Sequence, residues 1–327
     1  MSIRHLIWVV AALLCGSQAA TAEVSPEELL KAIVTIQASV PADARTAASL
    51  GTERQGNGVV IDSKGHILTI GYLVLEAESI TVPVADGEST RAVFVGYDPD
   101  TGFAIIRAEP PLPVRPMEFG DSSTLKEGDP VLAAGPGGPD AVQGVRVISL
   151  REFAGYWEYL LEHAIYTVPP YSDYGGAALI GADGRLLGIG SIFTRLTLAD
   201  FGTVSCNMFV PVDLLKPILP DLIAFGRRTG PPRPWLGVQV EESHGRVVVI
   251  RISPDSPAEQ AEIQPGDIIL TVNKNEVKGL ADFYRKIYAL GPAGVDVPLG
   301  VLQGIQIHDI TIRSADRHGY MRLKPGR

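Results

Sequence analysis

Short apolar runs separated by turn residues dominate the chain from Gly58 onward. Val59-Val60-Ile61 and Ile67-Leu68-Thr69 flank Asp62-Ser63-Lys64-Gly65, a turn sequence. Ile80-Thr81-Val82-Pro83-Val84 and Ala92-Val93-Phe94-Val95 flank a second turn, Ala85-Asp86-Gly87-Glu88, and Phe103-Ala104-Ile105-Ile106 adds a further strand. Pro83 assigns its strand to an edge or a bulge, because proline cannot donate to a ladder. Beyond Pro110-Pro111-Leu112-Pro113 the theme repeats, with strands at Val131–Ala134, Val145–Ile148, Ala164–Val168, Leu186–Ile189 and Phe209–Val212. Consecutive all-β halves predict two packed barrels. Ser25-Pro26-Glu27-Glu28 predicts a short helix through Leu29, Leu30 and Ile33: a serine cap, proline first, acids in the first turn. Asp213 to Phe225 predicts a helix interrupted by Pro217 and Pro220.

The pattern changes after Gly230-Pro231-Pro232-Arg233-Pro234, a semi-rigid linker. Strands at Val247–Ile250 and Ile268–Val272 are followed by Leu280, Phe283, Ile287 and Leu290 at helical spacing, ended by Gly291-Pro292. Val297–Leu302 and Asp309–Ile312 predict a hairpin around Gln303-Gly304. This second region therefore mixes strands with one well-marked helix. The tail from Ser314, basic at Arg322, Lys324 and Arg327, is expected to fray.

Composition agrees with a globular chain of about two domains, with 46% hydrophobic and 20% charged residues. A net charge of −9 with no basic stripe excludes nucleic acid as a partner. Arg4 and His5 precede the apolar run Leu6–Leu14, and Ala20-Thr21-Ala22 offers small residues for cleavage. This predicts a signal peptide over 1–22, cut after Ala22, and a periplasmic or otherwise exported protein. The run falls short of the ~20 apolar residues that span a membrane. An uncleaved anchor and a lipid on Cys15 are the alternatives, the latter opposed by bulky Leu14. Once the signal is removed, Cys206 stands alone and reads as a buried small hydrophobe. No cysteine and histidine spacing suggests a metal, and no cofactor is implied.

Several stretches in order carry a resemblance. Gly58-Val59-Val60-Ile61, Gly65-His66-Ile67-Leu68-Thr69, Val95-Gly96-Tyr97-Asp98-Pro99-Asp100-Thr101, Gly120-Asp121-Ser122 and Asp183-Gly184-Arg185-Leu186-Leu187-Gly188-Ile189 together resemble the trypsin-like domain of the HtrA family, exported proteases and chaperones that carry PDZ domains. Ser253-Pro254-Asp255-Ser256-Pro257-Ala258 and Pro265-Gly266-Asp267-Ile268-Ile269 resemble a PDZ domain of the circularly arranged bacterial type. The resemblance covers nearly the whole mature chain. It implies a mainly β fold: a trypsin-like double β-barrel over 23–228, followed by an α+β PDZ domain and tail over 229–327. It also implies peptides or unfolded proteins as partners, and a homo-oligomer, often a trimer in the family.

The family's catalytic positions carry other residues here. The histidine position after Ile67-Leu68-Thr69 falls on Tyr72, and the aspartate position after Thr101 falls on Gly102. The serine position falls on Gly175 counted without gaps from Gly188-Ile189, or on Tyr174 with a one-residue gap. A tyrosine, with a pKa near ~10, is a poor general base. Glycine supplies neither a carboxylate nor a nucleophile. Asp173 or Ser172 stands where the family places an oxyanion-hole glycine, and a carboxylate there opposes a developing oxyanion. Tyr72 and Tyr174 are candidates to fill the old cleft with their rings. The expectation is a non-catalytic pseudoprotease acting as adaptor, chaperone or regulator. The alternatives are a serine endopeptidase displaced to Ser172, with His66 beside the old site or His163 as candidate bases, and a subunit that joins active relatives.

In the second region the resemblance makes Trp235, Leu236, Gly237 and Val238 the carboxylate-binding loop and first groove strand. Their N–H groups would capture a peptide C-terminus, and the peptide would add as a strand beside helix 280–290. The alternative makes Trp235 and Leu236 core anchors for the linker. Arg233 stands close enough in sequence to assist an anion or to be merely solvated.

Overall fold

The structure, a computed structural model, describes residues 25–84, 88–199 and 202–323. The processing segment with Cys15 and Ala22, the centre of the turn at Ala85–Gly87 and the basic Lys324 and Arg327 lie outside the described residues. Ser25 caps α1 (Pro26–Leu30), its hydroxyl accepting from the Glu28 N–H at 3.2 Å. Ile33 does not continue this helix as expected. It opens β1 (Ile33–Ser39), where its β-branched neighbours Val34, Thr35 and Ile36 pair against Gly56–Val59.

After α2 (Ala47–Leu50) follow β2 (Glu53–Val60), β3 (His66–Ile70), β4 (Ser79–Pro83), β5 (Ser89–Tyr97) and β6 (Phe103–Glu109). They close into a barrel in the order β1-β2-β3-β6-β5-β4. Pro83 is the last residue of β4 and marks no edge, because β4 pairs on both sides. Closure removes unpaired strand edges, and Ile36, Ile67, Leu68, Phe103, Ile105 and Ile106 are fully buried on one or other face of the barrel wall.

A second closed barrel runs β10-β11-β12-β9-β8-β7. Its strands are β7 (Pro130–Ala134), β8 (Val142–Gly155), β9 (Tyr159–Val168), β10 (Ala178–Ile180), β11 (Leu186–Leu198) and β12 (Gly202–Pro211). Ile70, Leu73 and Phe103 of the first barrel share one apolar cluster with Tyr159, Ala178 and Ile189 of the second, so the barrels meet along a packed seam. β8 and β9 extend well past the strands that the sequence pattern predicts. They form a long hairpin, paired up to Gly155 and Tyr159. The expected helix from Asp213 forms only as α3 (Leu219–Phe225), where Pro220 falls in the first turn and is tolerated.

The C-terminal domain begins with β13 (Pro234–Trp235). It continues through β14 (Val238–Ser243), β15 (Arg246–Ile252), α4 (Pro257–Gln260), β16 (Ile268–Val272), β17 (Asn275–Glu276), α5 (Leu280–Tyr288), β18 (Asp296–Gln303) and β19 (Gln306–Arg313). Its sheet runs β14-β15-β16-β18-β19, and α5 buries Leu280, Phe283, Tyr284 and Ile287 against it. The tail does not fray over Ser314–Leu323. β20 (Ala315–Asp316) pairs with β13, and α6 (Arg317–Tyr320) stacks Tyr320 on Trp235 at 4.4 Å. Arg322 then returns to the first barrel, its N–H donating to Glu76 Oε1 at 3.1 Å.

Candidate functional site

The elbow from Tyr171 to Leu179 joins β9 to β10 where the barrels meet. Asn57 of β2 anchors it: its N–H donates to Gly175 O at 2.8 Å and its Nδ2 to Asp173 O at 2.7 Å. Thr69 Oγ1 donates to Asn57 O at 2.7 Å, so the polar groups of this buried asparagine are largely satisfied. Gly176 has φ +79, and a Cβ there would stand 1.8 Å from Asn57 O. Only glycine fits so close to another backbone. Ala177 N–H to Tyr174 O at 3.0 Å and Gly176 N–H to Gly190 O at 2.8 Å close the turn.

Tyr72 lies on the single helical turn Gly71–Leu73 after β3 and faces this elbow. Its hydroxyl donates to Ser191 O at 2.8 Å, and it stands 2.8 Å from where a Cβ on Gly175 would be. A side chain at Gly175 would thus lead onto the Tyr72 hydroxyl, and Tyr174 lines the same cleft. Burial raises the Tyr72 pKa, and Tyr174 and Asp173 push the same way, so the group is a neutral donor. Gly102 lies behind, at φ +78, and its carbonyl accepts from the Gly71 N–H at 2.7 Å. A Cβ at Gly102 would meet Ile70 Cδ1 at 3.3 Å and the Tyr159 hydroxyl at 3.5 Å, and that hydroxyl donates to Thr101 O at 2.5 Å. Tyr72, Gly102, Tyr159 and Tyr174 line a cleft of about 930 Å³, which Val238 and Val240 of the C-terminal domain also border.

In that domain the loop Trp235–Val238 turns on Gly237, at φ +87, where a Cβ would stand 2.2 Å from Ser256 Cβ. The N–H groups of Leu236, Gly237 and Val238 converge on one carboxylate, that of Glu158, at 2.8, 2.6 and 2.9 Å. Glu158 stands in the β8–β9 turn at φ +55 and is buried. Further along β14, the Val240 N–H donates to Tyr156 O at 2.9 Å. From α5, the Tyr284 hydroxyl donates to Gly155 O at 2.7 Å and accepts from the Glu158 N–H at 3.2 Å. Burial pushes the Glu158 carboxyl up to about 7, against the three loop N–H groups and Arg317, which favour the anion. Arg233 is not on this carboxylate. It pairs with Asp100 at 3.3 Å and lies over the Tyr288 ring at 4.6 Å.

A family model described as trypsin-like peptidase domain matches residues 56–189, and one described as PDZ domain matches residues 234–313. The chain is 27% identical over 275 residues to a probable periplasmic serine protease do/HhoA-like of Haemophilus influenzae, and 25% identical over 260 residues to the periplasmic serine endoprotease DegP of Escherichia coli. These matches cover 79% and 76% of this chain but 57% and 54% of those proteins, so it spans about half the length of the curated relatives it matches. The solved structure of HtrA-type protease AlgW with decapeptide is matched over 92% of this chain and 100% of that one, at TM-score 0.51 and 23% identity, a likeness of fold. The chain carries a trypsin-like peptidase domain followed by a PDZ domain, and is similar to HtrA-type proteases.

The hydroxyl and imidazole groups of this chain are dispersed. Ser172 is exposed, and no hydrogen bond joins it to a histidine among the described residues. His66 is not in a turn beside the cleft, as expected. It opens β3, is buried, and holds Asp62 Oδ2 through Nδ1 at 2.6 Å. His163 is exposed on β9. Sequence reading missed Tyr156, Glu158 and Tyr159, which bridge the barrels and the PDZ domain. Their signal was the run Phe153-Ala154-Gly155-Tyr156-Trp157-Glu158-Tyr159, too rich in aromatics for an ordinary surface turn and containing a glycine.

Proposed function

We propose that this HtrA-type chain is an exported pseudoprotease, a trypsin-like scaffold over residues 23–228 that serves a peptide-binding PDZ domain over 229–327. Tyr72, Gly102 and Gly175 take the three positions of the family's triad in this reading. The observation that carries it is the Tyr72 hydroxyl, hydrogen-bonded to Ser191 O and lying in the space before Gly175. A general base must accept a proton near the working pH, and a buried neutral phenol donates one instead. Without a serine the acyl-transfer step has no nucleophile. Export is supported by the periplasmic relatives and by the predicted signal segment. Peptide binding is supported by the inward-pointing N–H groups of Leu236, Gly237 and Val238, which suit a carboxylate. Unfolded chains or C-terminal peptides are the partners this implies.

A fluorophosphonate probe on the purified mature protein tests the loss of chemistry. No covalent labelling is expected. Labelling that disappears in Ser172→Ala would instead assign the chain a displaced serine protease site.

A further inference from the structure

The carboxylate-binding loop already holds a carboxylate, and it belongs to the chain itself. Glu158 accepts from Leu236, Gly237 and Val238, while Val240, two residues along the same strand, donates to Tyr156 O, two residues before Glu158. That is the pattern of strand addition: a carboxylate in the loop, and a ladder bond one repeat back along the added strand. Resting on the peptide-binding reading above, we propose that residues Tyr156-Trp157-Glu158 are an internal ligand of the PDZ groove, so that a peptide C-terminus binds only by displacing Glu158.

The hairpin is built for the purpose at some local cost. Gly155 and Tyr159 pair across a turn of Tyr156, Trp157 and Glu158, whose last residue has φ +55. In three-residue hairpin turns that left-handed position favours glycine. A glutamate there is strained by about 1 kcal/mol or more. Several contacts hold it. Leu160, just past the turn, is buried in the PDZ core, a burial that contributes about 2 kcal/mol. Tyr284 binds both ends of the turn, and Arg317 donates to Glu158 O at 3.5 Å. Arg285 of α5 pairs with Glu152 and Glu162 on the two strands behind it. Beyond Tyr156 the groove opens into the 930 Å³ cleft, which gives an incoming chain room to approach.

The test uses the full mature chain and a labelled peptide, Arg-Glu-Phe-Ala-Gly-Tyr-Trp-Val, which copies Arg151–Trp157 and ends in a free carboxyl. A groove occupied for nine-tenths of the time weakens apparent affinity about tenfold. Glu158→Gln, and Glu158→Asp, which keeps the charge but draws it back by one methylene, are each expected to bind about tenfold tighter than wild type. The peptide amide is expected to bind none of them. Hydrogen exchange of the Leu236, Gly237 and Val238 amides supplies the second readout: slow in wild type, fast in either variant. Equal peptide affinity in wild type and both variants overturns the internal ligand, and so does loop exchange that is the same in all three. If no form binds the peptide but exchange separates wild type from the variants, the peptide-binding reading fails and the internal ligand stands.

Discussion

Gly175→Ala adds one methyl group, and the structure sets what that methyl meets. Its Cβ would stand 2.8 Å from Tyr72 Oη and 3.7 Å from Cζ. The hydroxyl cannot simply swing aside, because it donates to Ser191 O at 2.8 Å. Overpacking of this kind costs about 1–3 kcal/mol. Tyr72→Phe removes the oxygen and leaves the Ser191 carbonyl without that donor, at about 1–2 kcal/mol. In the Phe background the added methyl meets only ring carbon at ordinary contact distance, so the second change costs little more. The double variant is therefore expected to be more stable than the sum of the singles by about 1–2 kcal/mol. Urea unfolding of wild type, both singles and the double, followed by circular dichroism, gives the cycle. Costs that add to within about 0.5 kcal/mol would show that the two sites do not touch, and the placement of Tyr72 against Gly175 would fall.

Three further outcomes follow from the same geometry. Glu158 titrates near about 7 against an ordinary 4.5, so between those values the folded chain binds more protons than the unfolded one. Its contribution, about 3 kcal/mol at 1.36 kcal/mol per pH unit, is present in full below the unfolded value and lost as pH rises through the folded one. The melting temperature of wild type relative to Glu158→Gln should thus fall between about pH 4.5 and about pH 7 and level off above. With Arg317, Tyr284 and Tyr288 as the neighbouring groups, a difference flat in pH would refute the shift. Restoring a triad as Tyr72→His, Gly102→Asp and Gly175→Ser should leave the protein unlabelled by fluorophosphonate, because at φ +78 an aspartate on Gly102 is strained and its Cβ meets Ile70 Cδ1 at 3.3 Å; a labelled triple variant contradicts this. Burial pushes the Cys206 thiol up to about 11, so a disulfide reagent at pH near 8 should react only once the chain is unfolded. Rapid reaction of the native protein would place that cysteine at the surface.

The barrels were legible because closed β-architecture repeats its signals: apolar runs such as Val59–Ile61 and Phe103–Ile106, each bounded by turn residues, recur through both halves. Pairing itself was less so. β1 was hidden because Ile33 follows a capped helix, and nothing local separates Ile33 from the next helical turn. The candidate site was read from spacing, which located Tyr72, Gly102 and Trp235–Val238 but left Gly175 and Tyr174 open, since a one-residue gap costs nothing in a sequence. Glu158 was invisible for a different reason. Its partners lie 78 to 80 residues away, and a single acid in a turn reads as solvated unless the loop that receives it is known. The ordered tail escaped notice because its contacts, Asp316 with Arg227, Tyr320 with Trp235 and Arg322 with Glu76, are distant in sequence.

That tail changes how the PDZ domain is free to move. The chain enters the domain through β13 and leaves it through β20, which pair side by side, and Arg322 then fastens the exit to the first barrel beside Asp43. A module hung on one linker swings about a hinge. One stitched at entrance and exit has no free end, so rotation away from the barrels requires releasing the stitch at Arg322 and Glu76 or separating β13 from β20. Small sliding displacements, of the size needed to exchange one carboxylate for another, are what such an attachment leaves available.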